Sequence, residues 1–244
     1  MKAWIAFSSI LMKDMRSYYL KPPNISWGLI FPVAWTLMFF LRSPVPVAVR
    51  DLLPGVMALS ILFGTTSMLA VTITFERKSR SFERLLLAPI SLNLLMLAKT
   101  SGAVLFGVFN AFVPVLFASF MITLSEVNWF MVLGSVLLIA VTSTFLGLFI
   151  AVSVSQVFEA QTFSNFFRFP MLFLCGLFIP LSELPVFIRP LSYALPLTYG
   201  VDILKTAING DGVIAVSLNF LMLAAFSIFL FSYSTYNVNR KWIL

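Results

Sequence analysis

The chain has 244 residues, of which 60% are hydrophobic and 10% charged, with a formal net charge of +7 and no histidine. A soluble domain carries roughly a quarter charged residues, so the composition excludes an ordinary water-soluble fold and identifies an integral membrane protein. One cysteine, Cys175, excludes an intrachain disulfide and leaves packing as its plain role.

Trp4, Phe7, Leu11, Met15 and Tyr18 recur at helical spacing, with Lys2, Lys13 and Arg16 on the opposite side of the same wheel. This pattern predicts an interfacial helix over residues 1–22 that lies flat on the inner leaflet. "KPPN" (21–24) ends it, because a proline pair cannot continue a helix interior. Charged residues then bound the apolar runs: 20 uncharged residues separate Lys21 from Arg42, 24 separate Asp51 from Glu76, and 26 separate Lys99 from Glu126. Each run matches the roughly 20 residues a helix needs to cross hydrocarbon. Longer intervals from Glu126 to Glu159 and from Asp211 to Arg240 hold one span each. A further span starts at Phe163 if Arg168 lies near the interface. The expectation is six transmembrane helices: Asn24–Leu41, Leu53–Phe75, Thr100–Leu124, Phe130–Val154, Phe163–Leu181 and Val213–Tyr236.

Basic residues orient this layout. With the N-terminus cytoplasmic, 12 of the 16 Lys and Arg fall inside, Arg168 among them, and only Arg42, Arg50, Arg189 and Lys205 fall outside. Both termini are therefore expected in the cytoplasm, and the positive charge needs no nucleic acid to explain it. "LRSPVPV" (41–47) offers no small-x-small cleavage site, so the first span is expected to remain. Trp129 and Tyr236 fall at span ends, where amphipathic rings favour headgroups. Ala103, Gly107 and Ala111, and likewise Ser143, Gly147, Ala151 and Ser155, form stripes of small residues; close helix packing is the default reading and a pore lining the alternative.

The chemistry that is missing narrows function. There is no metal-ligand cluster and no paired carboxylate, so neither a catalytic residue nor a metal site is expected. Polar groups near the midplane, which a coupled secondary transporter uses, are limited to Asn110, Asn219 and hydroxyls, best read as interhelical hydrogen bonds. A G-x-x-x-x-G-K-[ST] loop is absent, so no ATP is held in the P-loop manner by this chain.

The most charged stretch is "ERKSRSFERLLLAPIS" (76–91), on the cytoplasmic side. Glu76 and Arg80 form a helpful four-residue pair, Arg80 and Arg84 a repulsive one, so the charges do not serve local helix stability. Phe82, Leu85 and Leu86 share a face, and Ser91 is placed to cap the next helix. The reading is a short amphipathic helix with charges presented to a soluble partner; a plain positive-inside loop is the alternative.

This stretch resembles the first cytoplasmic loop of the ABC-2 family of ABC-exporter membrane subunits, E-R-x-x-G-[TS]-[LF]-E-x-L-L-x-[ST]-P-[LIV]-[ST]. Arg80 stands where that family has glycine, and Ala88 where it has Ser or Thr. A second segment, "LCGLFIPLSELPVFIRPLSYALPLTYGVDILK" (174–205), resembles the family's fifth helix, outward hairpin and Pro-Leu-Thr-Tyr turn, with Leu195 in place of a common asparagine and Lys205 in place of arginine.

The resemblance implies one ABC-2 type transmembrane domain over 1–244. Residues 76–91 would be a coupling-helix loop seated in a separate ATP-binding subunit, with Glu76, Arg77, Glu83 and Arg84 as polar contacts and Phe82, Leu85 and Leu86 as the apolar anchor. Residues 182–212 would be an extracellular re-entrant hairpin divided by Pro190 and Pro196; Pro180, Leu181, Pro196, Tyr199 and Asp202 would form the outer hairpin and gate, and Asp202 would either pair with Lys205 or lie on a solvated face. The implied assembly is two membrane subunits, identical or close paralogues, with two ATPase copies that use ATP and Mg. It would sit in the cytoplasmic membrane of a bacterium or archaeon, the lipid bilayer being its other partner. With 27 phenylalanines, a hydrophobic or amphipathic cargo such as a drug or lipid is expected, since an apolar passage disfavours polar cargo. A polysaccharide or glycolipid exporter, an ATP-independent transporter or channel, and an assembly factor remain as alternatives.

Overall fold

The computed structural model describes residues 2–42 and 48–243, and among these every regular element is helical. Helix α1 (Lys2–Asp14) runs into a π-helical turn at Met15–Tyr19, and α2 (Pro22–Ile25) continues through a second such turn, Ser26–Ile30, into α3 (Phe31–Arg42). The break at Lys21 follows from Pro22, which has no N–H to donate and so opens a helix rather than continuing one. Of the "LRSPVPV" segment, Ser43 to Val47 lie outside the described residues, as do the side chains of Lys2, Arg42 and Lys241.

Helix α4 (Val49–Lys78) is the axis of the bundle, about 45 Å long at 1.5 Å per residue. It is buried from Leu52 almost continuously to Glu76, and α6 (Leu92–Ser119), α7 (Trp129–Ser153), α8 (Val157–Leu174) and α10 (Pro196–Asn209) all pack on it. Such burial all round explains why its sequence is apolar on every face. Between α4 and α6 lies the short α5 (Ser81–Leu86), and α9 (Arg189–Tyr193) precedes α10; α11 (Val216–Val238) packs on α7 and α10 and ends in a π turn, Asn239–Ile243.

Among the described residues four helices, α4, α6, α7 and α11, are long and apolar enough to cross a membrane. The boundaries move from those expected for stated reasons. Helix α6 starts at Leu92 rather than Thr100 because the Ser91 hydroxyl accepts from the Leu94 N–H and caps it there, which brings Lys99 inside the helix. Helix α8 starts at Val157 rather than Phe163 because Gln156 and Glu159 form a capping box, and it stops at Leu174, with Gly176 just beyond in the left-handed region at φ 75°. Pro190 and Pro196 of the 182–212 segment open helices instead of dividing them, occupying the first turns of α9 and α10.

The small-residue stripes are packing surfaces except at Ser155, which lies beyond the end of α7 and is exposed. Ala103, Gly107, Ala111, Gly147 and Ala151 are all buried. A methyl group added at Gly107 would strike the Thr65 methyl, and one at Gly147 would strike the Thr66 carbonyl, so both α6 and α7 approach α4 at positions where only glycine fits.

Candidate functional site: the charged base of the bundle

The loop end of α4 is built on four charges from three helices, three of them buried and the fourth, Lys13, exposed at the edge. Glu76 of α4 is fully buried, and its carboxylate is bonded to Lys13 of α1 at 2.6 Å and to Lys99 of α6. Lys99, also fully buried, reaches Asp14 of α1 at 3.0 Å, and Lys13 lies 3.1 Å from the same carboxylate. The quartet balances two cations against two anions, which is the condition for placing charges in a low-dielectric interior. Burial lowers the Lys13 ammonium, but the hydrogen bond from Lys13 to Glu76 and the charges of Asp14 and Glu76 outweigh it and raise its pKa above the ordinary lysine value.

This arrangement changes the picture of α1. One side of the helix, carrying Ile10 and Asp14, is docked against α6, while Trp4 is 71% exposed on the other. The apolar stripe expected to face lipid is therefore shared between lipid-exposed and packed positions. Aspartate at position 14 drew no attention in the sequence, because an isolated acid in a basic segment gives no periodic signal.

Beyond Glu76 the chain turns sharply. Arg80 has φ 57° and ψ 12°, the left-handed conformation that glycine adopts without cost, so the turn is preserved although a side chain occupies it. Helix α5 then lies with Phe82 buried, edge-on to the Trp242 ring at 5.1 Å. The Arg77 guanidinium stacks on the other contact of that indole, 4.1 Å from its centroid, and donates to the Val154 carbonyl, while Lys78 donates to Gln156. Leu85 and Leu86 are half-buried. Arg80, Glu83, Arg84, Leu87 and Pro89 are exposed. Of the seven residues singled out in this loop, Glu76 and Phe82 thus face the protein's own interior, Arg77, Leu85 and Leu86 are partly covered, and Glu83 and Arg84 are open to a partner. Glu159, partly exposed at the start of α8, accepts from the Ser155 and Gln156 N–H groups, which hold its carboxyl below the ordinary range.

At the opposite end of α4, Pro180 is exposed and Leu181 buried, and Pro196 is partly buried where it begins α10. Tyr199 is buried, and its hydroxyl donates to the Tyr193 carbonyl at 2.7 Å, tying α10 to α9. Asp202 does not pair with Lys205. Its carboxylate accepts instead from the Val213 N–H at 2.8 Å, the Ile214 N–H at 2.9 Å and the Asn219 amide at 2.8 Å, fixing the entry into α11. Backbone donors with no other acceptor satisfy the acid better than a flexible lysine. Arg50 closes the other side: it donates twice to the Ile208 carbonyl, at 3.0 and 2.8 Å, and pairs with Glu126. No cluster of metal-ligating side chains is present among the described residues.

The sequence profile of the ABC-2 type transporter family matches residues 5–209. Three curated relatives, each named "Inner membrane transport permease YadH", come from Escherichia coli K12, Escherichia coli O157:H7 and Shigella flexneri; each is 22% identical over 231 residues, covering 91% of this chain and 90% of the relative.

Proposed function

The chain belongs to the ABC-2 type transporter family, and from that membership we propose that it is the membrane subunit of an ATP-driven exporter whose engine is a separate ATP-binding subunit. In this reading the helical run from Pro22 to Arg42 and helix α8 join the four longer helices as six spans of one transmembrane domain, with both termini in the cytoplasm of a bacterial or archaeal cell. Helix α5 is the coupling helix, two membrane subunits work with two ATPase copies, and the 182–212 segment is re-entrant and closes the outer side. ATP and Mg act in the partner, and this chain performs no catalysis. Cargo is hydrophobic or amphipathic.

The observation that carries the proposal is the division of labour within residues 76–91. Glu76 at the end of α4 and Phe82 of α5 lock the loop into the bundle, and Glu83 and Arg84 stand exposed beside Phe82 on α5. A lever must be rigid at its base and open at its contact, and charges at the open side set partner and register. Polar contact with the ATPase is therefore assigned to Glu83 and Arg84. Glu76 and Phe82 transmit its motion to α1, α4 and α6, and Arg77 to the α7–α8 turn.

Glu83→Lys tests this. The exposed site should tolerate the change, leaving the thermal midpoint of the purified chain unmoved, while co-purification of the ATPase and ATP-dependent transport both fall at least about tenfold, the loss expected from reversing a contact charge. Unchanged association and unchanged transport refute the coupling role.

A further inference from the structure

Halfway along α4, far from the charged base, lies a cation with no anion. Arg168 of α8 is 1% exposed; it donates to the Phe63 carbonyl at 2.7 Å and its guanidinium carbon sits 4.5 Å from the Phe63 ring centroid. Its Nε has no hydrogen-bond partner. Sequence reasoning put this arginine near an interface; instead it lies beside the middle residue of the longest helix. Glu159, nine residues earlier on α8 or about 14 Å at the helical rise, accepts from the Ser155 and Gln156 N–H groups; Asp14 and Glu76 are held by Lys13 and Lys99, and Glu76 is 13 residues beyond Phe63 along α4, or about 20 Å. Among the described residues, no carboxylate pairs with Arg168.

The same arginine lines a cavity of about 330 Å³ that runs beside α4. Its polar lining comprises Ser17, Tyr18, Lys21, Ser67, Thr72, Gln161 and Arg168, and its apolar wall includes Val71 and Phe75. The Ser67 and Thr72 hydroxyls are buried without hydrogen-bond partners. A charged group within a membrane domain is retained where it meets a counter-charge or lines a pathway. Here the counter-charge is lacking while donors and space are present, and a cavity of this size lies in the range that takes small ligands.

We propose that this cavity binds the anionic head of an amphiphile, a phosphate or carboxylate on an apolar tail. Arg168 is the charge partner, Ser67 and Thr72 donate further hydrogen bonds, and the tail lies along Val71 and Phe75. Guanidinium is suited to this role because its planar donors match the oxygens of either head. Calling the ligand cargo rests on the exporter reading above; the binding site itself does not.

The test uses the full chain purified in a neutral maltoside detergent with radiolabelled dodecyl phosphate. Saturable binding should be at least about tenfold tighter than that of dodecyltrimethylammonium, and a hundredfold excess of inorganic phosphate should not displace it, as expected when charge and tail both contribute. R168Q should abolish the preference and R168K should keep part of it. V71W, which fills the cavity and leaves the arginine in place, should lose binding too, and it decides the matter if R168Q fails to fold. Equal binding of both amphiphiles, displacement by phosphate alone, or undiminished binding in folded R168Q or V71W overturns the proposal, as does an R168Q variant that keeps binding but loses self-association. The ATPase is absent from this measurement, so the two readings fail separately: a neutral E83K result sinks the coupling role and leaves the site, whereas lost anion preference sinks the site and leaves the coupling.

Discussion

The two ends of α4 are fastened by different chemistry. At the loop end, side-chain charges from α1, α4 and α6 satisfy one another in the interior. At the opposite end, Asp202 and Arg50 bind mainly backbone groups: the first gathers the Val213 and Ile214 N–H groups ahead of α11, and the second donates twice to the Ile208 carbonyl of α10 besides pairing with Glu126. A backbone-bound charge fixes a turn locally, because its partners cannot rearrange independently. A quartet of side chains instead joins three elements distant in sequence, and the loss of one member strands the others. The loop end is therefore the more sensitive of the two to single substitutions.

The largest expected effect comes from Glu76→Ala, which leaves Lys99 buried beside a vacancy. A loss of about 3–5 kcal/mol is expected, as for other buried pairs broken at one partner, read as a lower thermal midpoint in detergent. The double variant Glu76→Leu with Lys99→Met removes one charge of each sign and should recover most of that loss; a double variant as unstable as the single one would show that the quartet is not the cause.

Asp202→Ala, by contrast, should cost about 1–3 kcal/mol, the penalty for leaving buried donors unsatisfied. Hydrogen exchange should then quicken at Val213 and Ile214 and stay unchanged in α5. If exchange rises equally at both ends, the local character of the backbone-bound end is wrong. The smallest effect has the opposite sign: Arg80→Gly relieves the left-handed backbone and should stabilise the loop end by up to about 1 kcal/mol, after the greater chain entropy of glycine is offset. A destabilised Arg80→Gly would mean that the arginine side chain supports the turn.

Much of this comparison was open to the sequence, and the parts that were not share a cause. Apolar run lengths located α4, α6, α7 and α11, because length and hydropathy are properties of one segment. The Ser91 cap was equally local. The partners of Glu76 were not: Lys13 lies 63 positions from it and Lys99 lies 23, Asp14 meets Lys99 across 85, and in the sequence each reads as an ordinary charge near a span end. Glu76 accordingly looked available to another protein, when its burial makes it part of the base. Arg168 misled for the related reason that a lone arginine in an apolar run reads as one that reaches for the interface. Only packing reveals that α8 turns it toward Phe63. Asp202 and Lys205 show the limit of spacing: three residues apart on a helix, they are neighbours, yet the donors brought by α11 compete better.

With two positive and two negative members, the Lys13, Asp14, Glu76 and Lys99 quartet sums to zero charge. A voltage across the bilayer exerts no net force on a neutral group, since the work scales with the charge displaced. Voltage therefore adds no net pull on the quartet as a unit, and a displacement of the four together is imposed through the helices that carry them.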